Sequence, residues 1–508
     1  MPLSLRAFTM VFFYLVSSLS ARAEITVEDT WNNLIDYAAI YGGQLSGTLE
    51  KFDGTLNVTN VIVTFSTDGT SGGKLAIGDI SLSEQEDGSV SLTHSESQMI
   101  TFTGFGHKEN QTVSLRLDRS GFSMIATGTP NNVTYNTTAN TLLFELLDIT
   151  SQEPRPEGEV IEFAFLSEGL NSTTTVNTQS GLGVVNTADH DTLLIDIIVQ
   201  EDADERQRVA VAATNVTSGY STQYTGSAFA WSDIVSALQN GLSLGVSLEA
   251  DTYQLDATLK EPGEPVFDFA AKTHNLSSAY ALDVNGWAYK TQGHFTEVSV
   301  PETQDIPFPI TLTLEGFGFD TRLPVMASDN VQEFPFKIWI TDLKLPNDLW
   351  DMIDPTHGLP RDPVTARFDS SYELILGKGL LDDLAPSEPS ESSPPAMTID
   401  QLSISDLYVS ALGAELSGSG SFSLDNSDLV TFSGIPAPTG KSSLKLSGTH
   451  ALIDKLVTAK TLTESDALSA RAMMGIFMRP GDAPDTLTSE IEINGMTGSV
   501  VANGVRVK

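Results

Sequence analysis

The amino-acid sequence predicts a mainly β protein, with curved antiparallel sheets that form a half-barrel or an elongated groove and a few amphipathic helices packed on the concave side. Apolar and polar residues alternate at period two over most of the chain, which is typical of strands with one buried face. Clusters of glycine, aspartate and serine separate these runs at the spacing of an antiparallel meander. A recurring Gly-x-Gly pattern inside the runs indicates strong curvature.

The chain begins with a pattern typical of a secretory signal peptide. Arg6 precedes an apolar stretch over residues 7–16, and Ala21-Arg22-Ala23 then offers a small-x-small cleavage site. The apolar stretch is shorter than the roughly 20 residues that span a bilayer. We therefore expect a signal peptide over residues 1–23, cleavage before Glu24 and release into the periplasm; an uncleaved anchor is the alternative.

Composition narrows the class of protein further. The chain has no cysteine in 508 residues, so an exported form has no disulfides, and this favours a bacterial periplasm over an animal secretory route. It carries 66 acidic and 27 basic residues, a net charge of −39, and loss of Arg6 and Arg22 with the leader lowers this to −41. Such a surface repels phosphate backbones, which excludes nucleic acid as a partner, and we expect contact with a membrane to be peripheral at most.

The first element after the leader is a helix. Thr26 and Asp29 form a capping-box pattern, the apolar residues Trp31 and Leu34 follow on one face, and Gly42 ends the helix. Period-two strands begin at Thr55. We expect short helices at 232–240 and after Pro346, and two amphipathic helices at 450–460 and 464–478.

Four regions follow from these patterns. They are an N-terminal β-rich region with the leading helix (24–218), a middle β-rich region (219–381), a linker rich in proline, serine and acids (382–397), and a C-terminal β-α-α-β region (398–508). Within the first, the apolar run at 193–199 contains Asp196, which we interpret as a hydrogen-bonded or edge-strand acid and not as a catalytic one.

Glycine strips recur at three places in the strand pattern. They are Gly104-x-Gly106, Gly316-x-Gly318 and Gly418-x-Gly420. In a strand both glycines of each pair fall on one face. A strip without side chains lets a helix or a ligand approach the sheet, or lets the sheet bend sharply, and curvature of an ordinary sheet is the interpretation we prefer.

The sequence patterns that could indicate catalysis or metal binding lack the surrounding elements or residues that these functions need. Gly241-Leu242-Ser243-Leu244-Gly245 matches a nucleophile elbow, but a helix precedes it and a strand follows, which is the reverse of the order needed. The seven histidines are scattered, and the acidic stretches at 189–191 and 201–205 lack the glycine and distal glutamate of a calcium loop. The sequence therefore predicts no enzyme activity, no metal site and no cofactor.

Several strings, taken in order, resemble a family of alphaproteobacterial envelope proteins called domain of unknown function 2125 (DUF2125). They are Val27-Glu28-Asp29-Thr30-Trp31, Leu349-Trp350-Asp351, Leu359-Pro360-Arg361-Asp362-Pro363 and Ile476-Phe477-Met478-Arg479-Pro480-Gly481. The resemblance covers the mature chain and implies an envelope location, with no activity or catalytic residues to carry over. The C-terminal order of strands and helices also resembles the tail of periplasmic proteins that are thought to hold lipids in an apolar β-groove.

These observations lead to one functional hypothesis. We expect an exported, non-enzymatic periplasmic protein that binds an apolar, lipid-like ligand in a β-groove, or an envelope protein; an outer-membrane β-barrel and an unrecognised enzyme are the alternatives. A second motif, the loop of Pro360, Arg361 and Asp362, is interpreted as a fixed loop in which Arg361 pairs with an acid. The residues expected to line the groove are Trp31, Leu34, Gly316, Gly318, Gly418, Gly420, Met473 and Phe477.

Overall fold

A computed structural model describes residues 25–66, 72–105, 111–151, 158–179, 181–201, 204–226, 233–302, 307–382 and 397–508. These residues confirm a mainly β chain: their strands belong to one antiparallel sheet, accompanied by five helices. The predicted signal peptide and its cleavage site, Gly106 and residues 383–396 of the predicted linker lie outside the described residues. Among the helices described, none is long and apolar enough to cross a membrane.

The chain divides into two compact units. The first holds the described residues within 1–154, 168–188 and 222–230, and the second holds those within 155–167, 189–221 and 231–508. The predicted region boundaries at 218, 381 and 397, and the predicted half-barrel or groove, stay predictions.

The first half of the chain contains one helix and eleven strands among its described residues. They are α1 (Val27–Ile40), β1 (Gly43–Phe52), β2 (Thr55–Ser66), β3 (Gly72–Glu84), β4 (Val90–Thr93), β5 (Ser97–Phe105), β6 (Gln111–Ser120), β7 (Ser123–Thr129), β8 (Asn132–Thr150), β9 (Val160–Asn177), β10 (Leu182–Gln200) and β11 (Arg206–Tyr224).

The remaining elements all belong to the second unit. Its helices are α2 (Ile234–Gln239), α3 (Asn347–Ile353), α4 (Thr449–Thr458) and α5 (Glu464–Phe477). Its strands are β12 (Ser243–Lys260), β13 (Phe267–Asp283), β14 (Gly286–Val300), β15 (Ile310–Leu323), β16 (Gln332–Leu343), β17 (Val364–Ile375), β18 (Thr398–Ala411), β19 (Ala414–Asp425), β20 (Ala437–Ser447), β21 (Arg479–Pro480), β22 (Thr486–Asn494), β23 (Ser499–Ala502) and β24 (Val505–Arg506).

The capping-box prediction for α1 is confirmed. The Thr26 hydroxyl accepts a hydrogen bond from the Asp29 backbone N–H at 3.1 Å, and the Asp29 carboxylate accepts one from the Thr26 backbone N–H at 3.2 Å. Gly42 follows the helix with a positive φ of 74°, the left-handed conformation that glycine adopts with little steric cost. The sequence therefore fixes both ends of this helix locally.

In the first unit the sheet forks between β3 and β8. One branch runs through β4 and β7, the other runs through β5 and β6, and both branches pair with β8. At the fork some backbone groups of β3 have no ladder partner, and side chains take over this role. The Gln98 amide donates to the Ile77 carbonyl, and the buried Arg119 donates to the Gln98 side-chain oxygen at 2.7 Å.

In the second unit, each strand from β12 to β19 pairs with the next strand along the chain, so these strands form a meander.

One face of this meander carries a row of directly opposed, alternating charges: Lys290, Asp320, Lys337 and Asp369. Their closest nitrogen–oxygen distances are 3.7 Å for Lys290–Asp320 and 3.3 Å for Lys337–Asp369. Because exposed pairs contribute little to stability, the row matters chiefly as the mark of a face that meets water.

The interpretation of Asp196 as a hydrogen-bonded acid is confirmed. Its two carboxylate oxygens each accept a hydrogen bond from the Arg208 guanidinium at 2.9 Å. The hydrogen bond from Arg208 is the main cause that lowers the pKa of this carboxyl. A low pKa in an exposed bidentate pair suits a structural acid and does not suit a general base at neutral pH.

Candidate functional site

An apolar pocket lies between α1 and the sheet of the first unit. Trp31, Leu34, Ala38 and Tyr41 follow one another at helical spacing, so one face of α1 forms a wall. The cavity has a volume of about 360 Å³. Its lining residues are Trp31, Leu34, Tyr37, Ala38, Tyr41, Leu45, Val61, Val63, Phe65, Leu75, Ile77, Ile80, Leu92, His94 and Met124.

The walls of this pocket combine buried and half-exposed residues. Trp31 is 5% exposed, whereas Leu34, Tyr37 and Tyr41 are half-buried. The rings of Tyr37 and Tyr41 meet edge to face with centroids 5.7 Å apart, and the Tyr41 hydroxyl lies 3.4 Å from the Thr222 hydroxyl. The half-buried residues mark the side on which the pocket meets solvent.

His94 places an imidazole among these apolar walls. Burial first, and then the nearby positive charge of Arg119, lowers the pKa of His94 to about 4. Its ring meets Phe122 edge to face at 5.8 Å, and its Nδ1 atom is buried with no hydrogen-bond partner among the described residues. The imidazole is therefore neutral at pH 7, and the pocket contains an uncharged polar group.

Arg119 lies behind His94 as part of the fork. Its guanidinium donates to the Ser95 carbonyl at 2.8 Å and lies 5.4 Å from the centroid of the Phe122 ring. Burial lowers the pKa of Arg119. The side chain joins β6 to β5 and to the segment between β4 and β5, and its charge adds to the burial that keeps His94 neutral.

The predicted groove residues fall in different surroundings. Trp31 and Leu34 line the apolar pocket of the first unit. Gly418 and Gly420 instead border surface depressions of the second unit with mainly polar walls that include Ser419, Ser443 and Glu490. One of these has a volume of about 880 Å³ and exceeds the apolar pocket, but its serine and acidic walls offer little to an apolar ligand.

Large side chains from neighbouring strands lie over two of the strip glycines, Gly318 and Gly418. The indole of Trp339 lies over Gly318, where a Cβ atom would overlap it. A Cβ at Gly418 would lie 2.5 Å from the Leu444 side chain, whereas one at Gly316 would meet no atom closer than 3.6 Å. At Gly318 and Gly418 the space is thus filled by the sheet itself, and neither a helix nor a ligand is needed to explain the glycine.

Met473 and Phe477 do not lie in the apolar pocket, whose lining residues all belong to the first unit. Their side chains on α5 are 62% and 36% exposed. On α5, Ala467 is buried at 2% exposure and Met474 is half-buried, whereas Leu468 and Ile476 are exposed like Met473.

The loop of Pro360, Arg361 and Asp362 has the contacts of a fixed loop. The Arg361 guanidinium pairs with Asp351 and donates to the Asn347 side chain at 3.0 Å. Nearby Asp354 is buried and accepts hydrogen bonds from the Leu359 N–H and the Thr356 hydroxyl, both at 2.7 Å, and these bonds lower the pKa of its carboxyl.

The second unit has an aromatic strip that was not predicted from the sequence. Eight rings on β13 to β17 contact one another in series, with centroid distances from 4.5 Å for Tyr280–Tyr289 to 6.4 Å for Phe334–Phe336. Tyr280 and Trp287 are 45% and 38% exposed. The members of the strip are Tyr280, Trp287, Tyr289, Phe319, Phe334, Phe336, Phe368 and Tyr372.

Within the described parts of the chain, no three His, Cys, Asp or Glu side chains are grouped closely enough to hold a metal ion. Comparison of the whole chain with protein-family models, with curated proteins and with solved structures found no match in any of the three.

Proposed function

We propose that this chain is an exported, non-enzymatic envelope protein that binds an apolar, lipid-like ligand in the pocket between α1 and the sheet of the first unit. The observation that carries the proposal is the chemistry of the pocket: fifteen lining residues, almost all hydrocarbon or aromatic, surround about 360 Å³. Pockets of about 300 to 1,000 Å³ with apolar walls and few polar groups are the usual form of small-molecule sites.

The polar groups in the pocket constrain the ligand. Because burial and Arg119 keep His94 neutral, the pocket has no charged lining side chain at pH 7. Apolar walls do not hold ordered water well, so displacement of solvent by hydrocarbon is favourable. A ligand with an acyl or isoprenoid chain and an uncharged hydroxyl or carbonyl near His94 fits this combination.

Two further observations support this ligand class. The aromatic strip of the second unit offers additional part-exposed apolar surface. The net charge of −39 disfavours phosphate-rich partners but does not disfavour a neutral lipid. Export to the periplasm and membership of DUF2125 belong to the same proposal and rest on the leader and the motif strings.

Titration of the purified chain with an environment-sensitive fluorescent fatty acid tests the proposal, together with solvent extraction of co-purifying lipid. We expect saturable binding that Ala38→Trp weakens about tenfold or more, because the indole fills the pocket. Ala39→Trp is the matched control, since the same change on the neighbouring helix position lies outside the lining. A natively folded chain without saturable binding, or equal losses from both variants, contradicts the proposal.

A further inference from the structure

The apolar pocket of the first unit extends along α1 and its C-terminal cap. The lining residues on this segment run from Trp31 to Tyr41, a span of ten residues. At the helical rise this span is roughly 15 Å long. One chain of a bilayer lipid spans half of a hydrocarbon core that is about 30 Å thick, so it has nearly the same length. The length of the pocket therefore suits one lipid chain laid beside the helix.

The volume of the pocket sets the same limit. The cavity measures about 360 Å³. A protein cavity of about 150 Å³ with aliphatic and aromatic walls holds one benzene molecule, which has six carbons. At the same packing, 360 Å³ holds roughly 14 carbons. A single chain of this size fills the pocket and leaves no space for a second one.

The floor of the pocket is continuous hydrocarbon. Leu45 lies opposite Val63, and Val63 lies opposite Leu75, so one face of three neighbouring strands forms the floor. His94 is the one lining residue with an imidazole, and two tyrosines contribute hydroxyl groups. The walls thus offer few polar groups to a ligand head and hydrocarbon to the rest of the ligand.

The inner wall of the pocket is closed. Val61, Ile80 and Leu92 line it and are 2%, 8% and 3% exposed. Close-packed side chains of this kind do not move aside for extra methylene groups without strain. Carbons beyond the capacity of the pocket would therefore stay in water, where they add nothing to the affinity.

We infer that the ligand is a single-chain lipid with an uncharged head, and that the pocket takes about 14 carbons of its chain. This inference rests on the proposed function and narrows its ligand class. The uncharged head follows from the lining, which contains no charged side chain at pH 7. A two-chain membrane lipid is excluded because its second chain would remain exposed to water.

Displacement of the fluorescent fatty acid by monoacylglycerols with chains of 8 to 18 carbons tests the inference on the purified chain, below the concentration at which each lipid aggregates. Affinity should rise about fourfold for each added methylene group. The rise should stop near 14 carbons, where the pocket is full. Didecanoylglycerol should bind no more tightly than monodecanoylglycerol, because its second chain finds no space.

Two variants test whether the pocket sets this limit. Ala38→Leu adds three carbons to the lining, so the rise should stop about three carbons earlier. Leu75→Ala removes three carbons, so the rise should continue for about three more. Ala39→Leu is the matched control, since Ala39 lies outside the lining and its variant should keep the limit of the wild type.

Three results would overturn the inference while the proposed function stands: affinity that still rises at 18 carbons, affinity that stops rising at 10 carbons, or tighter binding of didecanoylglycerol than of monodecanoylglycerol. A limit that moves equally in Ala38→Leu and Ala39→Leu would also overturn it. If the folded chain binds neither the fluorescent fatty acid nor any monoacylglycerol, the proposed function fails as well.

Discussion

Acidification should destabilise the first unit through His94, and replacement of His94 by leucine should remove this effect. Folding lowers the pKa of His94 from 6.5 to about 4 because the imidazole is buried beside Arg119. Between these two pKa values the unfolded chain binds a proton that the folded chain does not bind. Stability is therefore highest above pH 6.5, falls as the pH drops, and stops falling through this group below pH 4.

The size of the effect follows from the same two pKa values. A difference between 6.5 and about 4 is worth about 3 kcal/mol at its limit, and the share lost between pH 7 and pH 5 is about 2 kcal/mol. Asp36 and His190 also change the pH dependence, the first with a pKa raised by burial and the second with a pKa lowered by burial. Both remain in the variant, so the difference between the two proteins isolates His94.

The assay is urea unfolding followed by ¹⁹F NMR of chains labelled with 5-fluorotryptophan. Trp31 lies in the pocket of the first unit, so its signal among those of the five tryptophans reports the unfolding of that unit. The free energy of unfolding of the wild type should fall by about 2 kcal/mol more than that of His94→Leu when the pH drops from 7 to 5. Equal slopes for the two proteins would refute the assignment of a neutral, buried imidazole.

Two further predictions concern the sheet. Gly318→Ala should lower the free energy of unfolding by about 1 to 3 kcal/mol because the new methyl group overlaps the Trp339 indole. Gly316→Ala should lower it much less because its surroundings leave room for a methyl group. Thermal unfolding of the two variants compares these effects. Arg119→Leu should lower the free energy of unfolding by about 1 to 3 kcal/mol because it leaves buried acceptors at the fork, including the Gln98 oxygen, without their donor. Backbone hydrogen exchange in β4 and β5 should therefore become faster. Exchange that slows or stays unchanged there would contradict this prediction.

Local sequence signals predicted the elements that depend on local chemistry. The structure contains the capping box at Thr26, the helix end at Gly42 and both predicted C-terminal helices. The observed ends of α4 differ from the predicted 450–460 by up to two residues, and α5 ends one residue before the predicted 478. Period-two alternation likewise identified the strands, because each strand exposes alternate residues to its two faces. Each of these signals involves residues that are close together in the chain, so it can be recognised from one sequence alone.

The pocket could be predicted in part, whereas the fork could not be predicted. The apolar face of α1 predicted Trp31 and Leu34 as pocket residues. His94 lies in the polar run Thr93-His94-Ser95, where no local feature of the sequence indicates that it is buried. Its surroundings come from strands β3, β4 and β7, whose pairing depends on contacts distant in sequence. The aromatic strip did leave a signal, since Trp287 and Tyr289, like Phe334 and Phe336, are two residues apart and so share one face of a strand.

It was harder to predict which face of α5 points away from the protein. Helical period shows that Leu468, Ala472 and Ile476 share a face, but it does not show whether that face meets the protein or something else. We expected the larger side chains to point inward because burial of Leu and Ile is favourable by about 1.5 to 3 kcal/mol each. The structure buries Ala467 instead, and Leu468 and Ile476 are 70% and 58% exposed.

The contacts of α1 explain why a pocket remains beside it. On one side of the helix, Asn33 is buried and its side-chain oxygen accepts a hydrogen bond from the Tyr135 hydroxyl at 2.9 Å. At its N-terminal end, Glu28 pairs with Lys51 of β1 at 2.7 Å. The buried hydrogen bond between Asn33 and Tyr135 has a narrow range of lengths, so it fixes the distance between this side of the helix and β8, whereas apolar contacts alone would let the helix move closer to the strands. The face with Trp31, Leu34 and Ala38 borders the cavity, so the way in which the helix is attached contributes to the space between it and the sheet.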